Sequence, residues 1–342
     1  MRRPVYQIAA IAVLALSGIL MLTPPLAQCQ APVILKLATL APDGSTWMQV
    51  LKAAADEAQK GTGNAVQFKI YPGGVMGDER DMVRKMHIGQ IHASMLSSAS
   101  LASMYAEIDV LQIPFLFNSY PEVDFLVERM EADFKTGLEK NGYVGLGWSE
   151  AGFVYLMSTV PVNGLAQLRK AKVWIWSDSP MARAIFSEAG VSGVPLAITD
   201  VLVGLQTGLV EVVYAPPSVA IALQWFTRIK YLTEVPLNYM LGGLVVKKDA
   251  FDKISPQHQV VVKGIFERHM NRLREIIRSE NQEALAVMQK QGVTVLAPEK
   301  NTVADFKAVS EKAMKQEEGH KFSAKTKEQA LSLLKAHAEG KK

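Results

Sequence analysis

The chain reads as an α/β protein of two domains with a largely parallel sheet. Three observations predict this. Strand-like and helix-like segments alternate with short connections, the order that lays parallel strands beside crossover helices. The 342 residues suit two domains at roughly 100–200 residues each. Residues 255–291 hold a helical pattern of about 35 residues, or roughly 50 Å at ~1.5 Å per residue, more than one ordinary domain accommodates.

The elements follow in order. Residues 33–40 form an apolar run suited to a buried strand, and Pro42-Asp43-Gly44 turns it. Ser45 is placed to cap a helix whose Trp47, Val50, Leu51, Ala54, Ala55 and Ala58 recur at helical spacing, and Gly61 and Gly63 end it. Val66, Phe68 and Ile70 alternate with Gln67 and Lys69, as in a half-buried strand. After the Tyr71-Pro72-Gly73-Gly74 loop, 78–88 is helical and 93–96 is a short strand. Further strands are predicted at 143–148, 173–176, 210–214 and 293–296, and further helices at 123–130, 180–189, 200–207, 218–226 and 302–314. Ser255-Pro256 has the cap-then-proline form of a helix start. From there to Gln291 the pattern fits either one helix across two lobes or two helices broken near Arg278-Ser279-Glu280. Residues 319–342 read as a polar, frayed tail, and no repeat of 20–50 residues is visible.

The amino terminus carries Arg2 and Arg3, then an uncharged apolar run at 8–22 broken only by Ser17 and Gly18 and ended by Thr23-Pro24-Pro25. This is the form of a secretory signal peptide, assigned to 1–31. The run of about 15 residues is short of the ~20 that a spanning helix needs, and an uncleaved anchor is the alternative. Leu26-Ala27-Gln28-Cys29 resembles a lipobox whose Cys29 would be acylated, although Gln28 stands where a small residue is usual. Cleavage between Ala27 and Ala31 is the other route. No second apolar stretch is long enough to cross a membrane, so the processed chain is expected to be exported and soluble.

Composition and motif spacing exclude several classes of function. Basic and acidic residues number 37 and 33, and two of the basic ones lie in the leader, so there is no basic stripe for phosphates of nucleic acid. A single Cys excludes a disulfide framework and a Cys-rich zinc site. There is no Gly-x-Ser-x-Gly elbow. His87 and His92 are five apart with Gly89 between them, which is not a zinc-helix pair. His258 and His269 lack a partner at ligand spacing. Gly73, Gly74 and Gly77 match neither dinucleotide nor P-loop fingerprints, and 78–81 reads as the acidic first turn of a helix. No catalytic constellation, metal site or cofactor motif emerges, so a binding function leads.

Several segments then carry a resemblance. Leu37-Ala38-Thr39-Leu40-Ala41-Pro42-Asp43-Gly44, the 71–80 stretch YPGGVMGDER, Ile113-Pro114-Phe115-Leu116-Phe117, the 205–211 stretch LQTGLVE and the 225–233 segment occur together and in order. The chain resembles the DctP-type solute-binding proteins of tripartite ATP-independent periplasmic (TRAP) transporters over about 33–318. The resemblance implies a two-lobe clamshell with a long helix spanning both lobes. One lobe is expected at 33–151 plus 240–278 and the other at 152–239 plus 279–318, with hinges near Ala151 and Tyr239. It also implies a periplasmic receptor that is not an enzyme, needs no cofactor, captures a small molecule between the lobes and delivers it to a TRAP membrane permease.

Three positions depart from that family's pattern. Lys172-Val173-Trp174 puts Trp174 where a carboxylate-binding Arg is usual, Val154 follows Gly152-Phe153 where a supporting Arg is usual, and Ala215 precedes Pro216 where an Asn is usual. An Arg fork gives carboxylate recognition its geometry, and a carboxylate desolvated without one costs several kcal/mol, of the order of ~3–5. Trp174, Val154 and Ala215, with Tyr214, Trp148, Phe153, Trp176, Phe115 and Met181, are therefore the candidate lining of a cleft for a hydrophobic or amphiphilic ligand. The alternative is an ordinary C4-dicarboxylate or organic-acid binder that uses Arg169, Lys172 or Arg183 as a displaced cation.

Overall fold

Apolar stripes at helical spacing and β-rich runs at strand length produce the elements largely where their residues call for them. A computed structural model describes residues 31–177, 179–317 and 322–340; the leader apart from Ala31, Cys29 included, falls outside these. β1 (Val33–Thr39), α1 (Thr46–Gly61), β2 (Val66–Tyr71), α2 (Glu79–His87) and β3 (Ala93–Ser97) come first. β1 pairs in parallel with β2 and with β3. Ser45 caps α1 by accepting the Met48 N–H, and the Trp47, Met48, Leu51, Ala54 and Ala58 stripe is buried beneath the sheet. α3 (Tyr120–Lys140), capped by Ser119, leads into β4 (Tyr143–Ser158).

β5 (Val173–Trp176), α4 (Pro180–Glu188), β6 (Gly193–Leu196), α5 (Val201–Thr207), β7 (Val212–Ala215) and α6 (Pro217–Ala222) build the second lobe. There β5 runs parallel to β6 and β7. β8 (Tyr231–Thr233) and β9 (Asn238–Lys247) follow, then α7 (Pro256–Lys290), β10 (Thr294–Leu296), α8 (Thr302–Glu317) and α9 (Ala324–Ala338).

The strand order is β2-β1-β3-β9-β4-β7-β5-β6, with β8 and β10 attached beside β4. The expected largely parallel sheet is met in the outer strands of each lobe. Its middle is antiparallel, because β9 enters between β3 and β4 and opposes both. β4 also runs ten residues past the predicted end at Trp148. Its first part pairs with β9 as far as Val154↔Asn238, and its last part pairs with β7 and β8. Two bulges, at Gly145/Gly147 and Glu150/Gly152, bend it between the two lobes. Gly147 (φ +145°) and Gly152 (φ +115°) supply the backbone there, and α7 packs so closely that a Cβ would lie 2.9 Å from Met270 and 2.5 Å from the Asn281 amide nitrogen.

α7 is one helix of 35 residues, without a break at Arg278-Ser279-Glu280. Its Val262, Ile265, Phe266, Met270, Leu273 and Ile277 pack into the core of the first lobe, and Met288 into the core of the second. Between them Asn281 donates to Ala151 O at 2.8 Å and accepts from Ser218 N–H at 3.0 Å, tying the β4 bend to the start of α6. The tail does not fray between 324 and 338. It forms α9, whose Ala330 joins Phe322, just ahead of the helix, on the first-lobe core, and whose His337 stacks on Phe125 at 4.4 Å.

Candidate functional site

Two cavities adjoin at the junction of the lobes and share Ser97, Trp176 and Met240 in their walls. The first, of about 120 Å³, lies under α4 and α8 against β4, β7 and β9. Register explains its floor. Leu156 lies opposite Tyr214, and Val154, two residues back on the same face, lies opposite Asn238. All four line the cavity, with Phe115, Met181, Phe186, Tyr239 and Phe306 among the other walls. No lining residue carries a charge. Phe115 adopts φ +57°, a conformation bulky side chains avoid, and its N–H donates to Leu237 O at 2.9 Å. Its side chain forms part of the cavity wall.

The second cavity, of about 330 Å³, opens between β1 and β3 on one side and Trp176, Ile198, Thr199 and Val219 on the other. Its charged lining residues are two acids, Glu79 and Glu150. Glu150 has a fully buried side chain, and its two oxygens accept from Arg278 at 2.7 and 3.0 Å. Arg278 also grips Asp124 with two bonds of 2.7 Å and lies 4.6 Å from the centre of the Tyr120 ring. Arg274 adds an ion pair to each acid. Asp78, which caps α2, spans the cleft: its carboxylate accepts from the Trp176 indole at 3.1 Å and from Ile198 N–H at 3.2 Å.

Glu79 is 4% exposed and accepts from the N–H and hydroxyl of Ser97. Burial pushes its carboxyl up to about 7 from an ordinary 4.5, against the opposing bonds from Ser100 and Ser97. The folded state therefore binds a proton that the unfolded chain has released between these values. Its contribution to stability is complete below pH 4.5 and is lost as pH rises through 7. At ~1.4 kcal/mol per unit, wild type should lose about 3 kcal/mol across that window relative to Glu79→Gln. Urea unfolding of both proteins at pH 4.5 and 8 measures it, and parallel pH profiles would refute it.

Of the nine residues expected to line the cleft, Phe115, Val154, Trp176, Met181 and Tyr214 come together in the first cavity, and Trp176 also faces the second. Trp174 and Ala215, each 1% exposed, lie outside both walls in the second-lobe core. Trp174 stacks behind Tyr214 at 4.9 Å, meets Trp225 edge-on at 5.3 Å and donates its indole N–H to Leu196 O at 3.1 Å. The reason is position along β5. Trp174 and Trp176 share a face, but only Trp176 reaches the carboxyl end of the strand, where α/β sheets open their sites. Trp148 packs on Phe134 at 5.8 Å, and Phe153 on Tyr239 at 4.8 Å, away from both cavities. Asp78, Glu79 and Glu150 escaped the sequence reading as site residues, since their partners lie far along the chain.

Two α/β lobes joined by bent strands and one long helix, with a cavity at their junction, define the two-lobe class of extracytoplasmic solute-binding proteins. The chain belongs to one family of that class: bacterial extracellular solute-binding protein family 7, the DctP family, whose model matches residues 37–320. It is a TRAP-type binding protein and not an enzyme. It is 26% identical over 258 residues to the 2,3-diketo-L-gulonate-binding periplasmic protein of Escherichia coli, covering 75% of this chain and 77% of that one. It is 24% identical over 267 residues to the C4-dicarboxylate-binding periplasmic protein DctP of Rhodobacter capsulatus, covering 77% and 79%. Among solved structures, a TRAP solute-binding protein of Citrobacter koseri with bound D-glucuronate matches with a TM-score of 0.78 at 25% identity, covering 90% and 99%. The galactonate complex of a sugar-acid-binding protein from Advenella mimigardefordensis matches with a TM-score of 0.82 at 20% identity, covering 89% and 98%. Among the described residues no helix is long and apolar enough to cross a membrane.

Proposed function

We propose that the chain is the receptor of a TRAP transporter for an apolar or amphiphilic ligand, which it carries to the membrane permease. The observation behind this is the uncharged, aromatic- and aliphatic-lined first cavity, with Val154 in its floor. Relatives are named for sugar acids and dicarboxylates, whose charge needs a cation. The candidate displaced cations are committed elsewhere: Arg169 to Ala189 O, Lys172 to Gly208 O and Arg183 to Ser177 O. None of the three lines either cavity. The lobes are those given above, 33–151 with 240–278 and 152–239 with 279–318. They close over the ligand about hinges near Ala151 and Tyr239, since a ligand touching both lobes favours the closed state by its differential affinity. Export follows from the leader at 1–31, with lipidation at Cys29 the alternative to a free periplasmic form.

Titration calorimetry with succinate, malate and a homologous series of n-alkyl compounds tests the ligand class. Each added methylene should strengthen binding by about 0.8 kcal/mol, roughly fourfold, until the cavity is full. Each ligand that binds should raise the melting temperature. Micromolar binding of a C4 dicarboxylate with no response to the alkyl series would overturn the proposal.

A further inference from the structure

Of the three residues that both cavities share, Ser97 alone carries a hydroxyl, and it is only half-buried. Its N–H donates to Glu79 Oε1 at 2.9 Å, and its hydroxyl meets Glu79 Oε2 at 2.5 Å. Its oxygen also accepts the Ser100 N–H at 3.4 Å. A serine hydroxyl has one hydrogen to give and two lone pairs to accept with. When Glu79 is ionised, Ser97 gives that hydrogen to the carboxylate and has none for a ligand. When Glu79 carries a proton, the acid donates to Ser97 Oγ. With the Ser100 N–H this fills both acceptor sites, and the hydroxyl hydrogen is free to point into the junction of the cavities. Burial, helped by the Asp78 carboxylate beside it, brings the Glu79 carboxyl up to about 7, so both states are populated near neutral pH. Glu150 faces the second cavity from β4 and is held by Arg278. β1 at Thr39 and Leu40, β3 and the helical turn Ser98–Ala102 bring no charge to Glu79. Ser100, whose side chain also bonds Glu79, lies outside both walls.

We infer that Ser97 is the ligand's polar anchor, donating its hydroxyl hydrogen to an uncharged acceptor at the junction of the cavities while Glu79 is protonated, so that the receptor holds its ligand more tightly in acid than in alkali. This rests on the apolar-cavity reading and adds the polar contact to it. The apolar body of the ligand lies in the first cavity, and a carbonyl or ether oxygen sits at Ser97. An anionic acceptor fits less well: among the described residues no basic side chain lines either cavity, and the charged residues of the second are acids. The coupling is reciprocal. A ligand that prefers the protonated acid raises its proton affinity, so binding near pH 7 takes up part of a proton.

The probes are acetophenone, whose one polar atom is a carbonyl oxygen, and isopropylbenzene, which has the same shape and no polar atom. Neither ionises, so any pH dependence belongs to the protein. By calorimetry, wild type should bind acetophenone about fourfold more tightly at pH 5.5 than at pH 8.5, the usual worth of one hydrogen bond. Isopropylbenzene should bind equally at both. Titrations at pH 7 in buffers of different ionisation enthalpy should show proton uptake with acetophenone and none with isopropylbenzene. Glu79→Gln, whose amide donates to Ser97 Oγ at every pH, should hold acetophenone at the wild type's pH 5.5 strength throughout. Ser97→Ala should lose the pH dependence and bind acetophenone as weakly as wild type does at pH 8.5. The wild-type comparison of the two probes stands even if a variant fails to fold. Acetophenone binding that ignores pH, or a parallel pH dependence of both probes, overturns the Ser97 anchor and leaves the apolar cavity in place. Binding of succinate with no response to either probe overturns both.

Discussion

Replacing Trp174 with alanine is expected to lower the free energy of unfolding by about 3–5 kcal/mol, the usual cost of emptying an aromatic site in a packed core. Trp174 is 1% exposed and held on three sides, by Tyr214, by Trp225 and by the Leu196 carbonyl. The loss combines the forfeited burial of the indole, a cavity that its neighbours fill only in part, and one of the two hydrogen bonds to the Leu196 oxygen, which keeps that from the Ser177 N–H at 3.3 Å. Ligand affinity should fall less than stability, because Trp174 reaches the cavity only through Tyr214. Trp174→Phe should recover most of the stability, since it keeps the stacking ring and forfeits the hydrogen bond. Chemical denaturation and ligand titration of the three proteins separate the effects. A loss under 1 kcal/mol for the alanine variant, with binding weakened tenfold, would place Trp174 in the ligand site after all.

Arg278→Met is expected to cost about 3–5 kcal/mol, because it leaves the Glu150 carboxylate buried with only the 3.5 Å approach of Arg274 to balance it. The asymmetry of buried ion pairs supplies the control. Glu150→Leu combined with Arg278→Met removes both charges together, so the double variant should be more stable than Arg278→Met alone, and the two single losses should together exceed the loss of the double by about 1–3 kcal/mol. Asp124, whose side chain is 44% exposed, can be rehydrated and adds less to the penalty. Additive losses in the two single variants would mean that Arg278 acts through packing on Tyr120 rather than through charge. The same guanidinium explains why α7 does not break where its sequence turns polar. Arg278 points its polarity inward, to acids on β4 and α3, so the polar stretch is a fastening rather than a loop.

Local chemistry explains which parts of the molecule could be read in advance. The Ser45 cap, the α1 stripe, the Ser255-Pro256 start and the alternation in β2 are decided by neighbours a few residues away, and they fold as read. β9 was not legible, because Gly242 and Gly243 interrupt it and its pairing depends on strands far behind it in the chain. The second half of β4 is hidden by Ser149-Glu150-Ala151-Gly152, which looks like a loop and is a bulged bend clamped by Asn281 and Arg278. α9 shows only a thin apolar edge, and its docking on the first-lobe core is a tertiary fact. In the site, Val154 was named from its place after Gly152-Phe153 and Tyr214 and Trp176 as aromatics near the cleft, and all three line the first cavity. Trp174 was misplaced because two tryptophans on one strand face differ only in how far along the strand they sit. Glu79 reads as an ordinary first-turn acid, and its burial depends on Ser97, 18 residues away.

The insertion of β9 between β3 and β4 has a bearing on how the chain is born. β3 ends at Ser97 and β4 begins at Tyr143, yet the strand that joins them is not synthesised until Lys247. Until then both carry open edges, and the first lobe lacks its middle. Such long-range closure makes folding slow, since a long loop must be closed before its contacts form. For a member of an extracellular solute-binding family, that delay is useful. The growing polypeptide stays uncommitted for most of its length, and β9, which arrives ahead of only the short β10, completes the sheet of the first lobe.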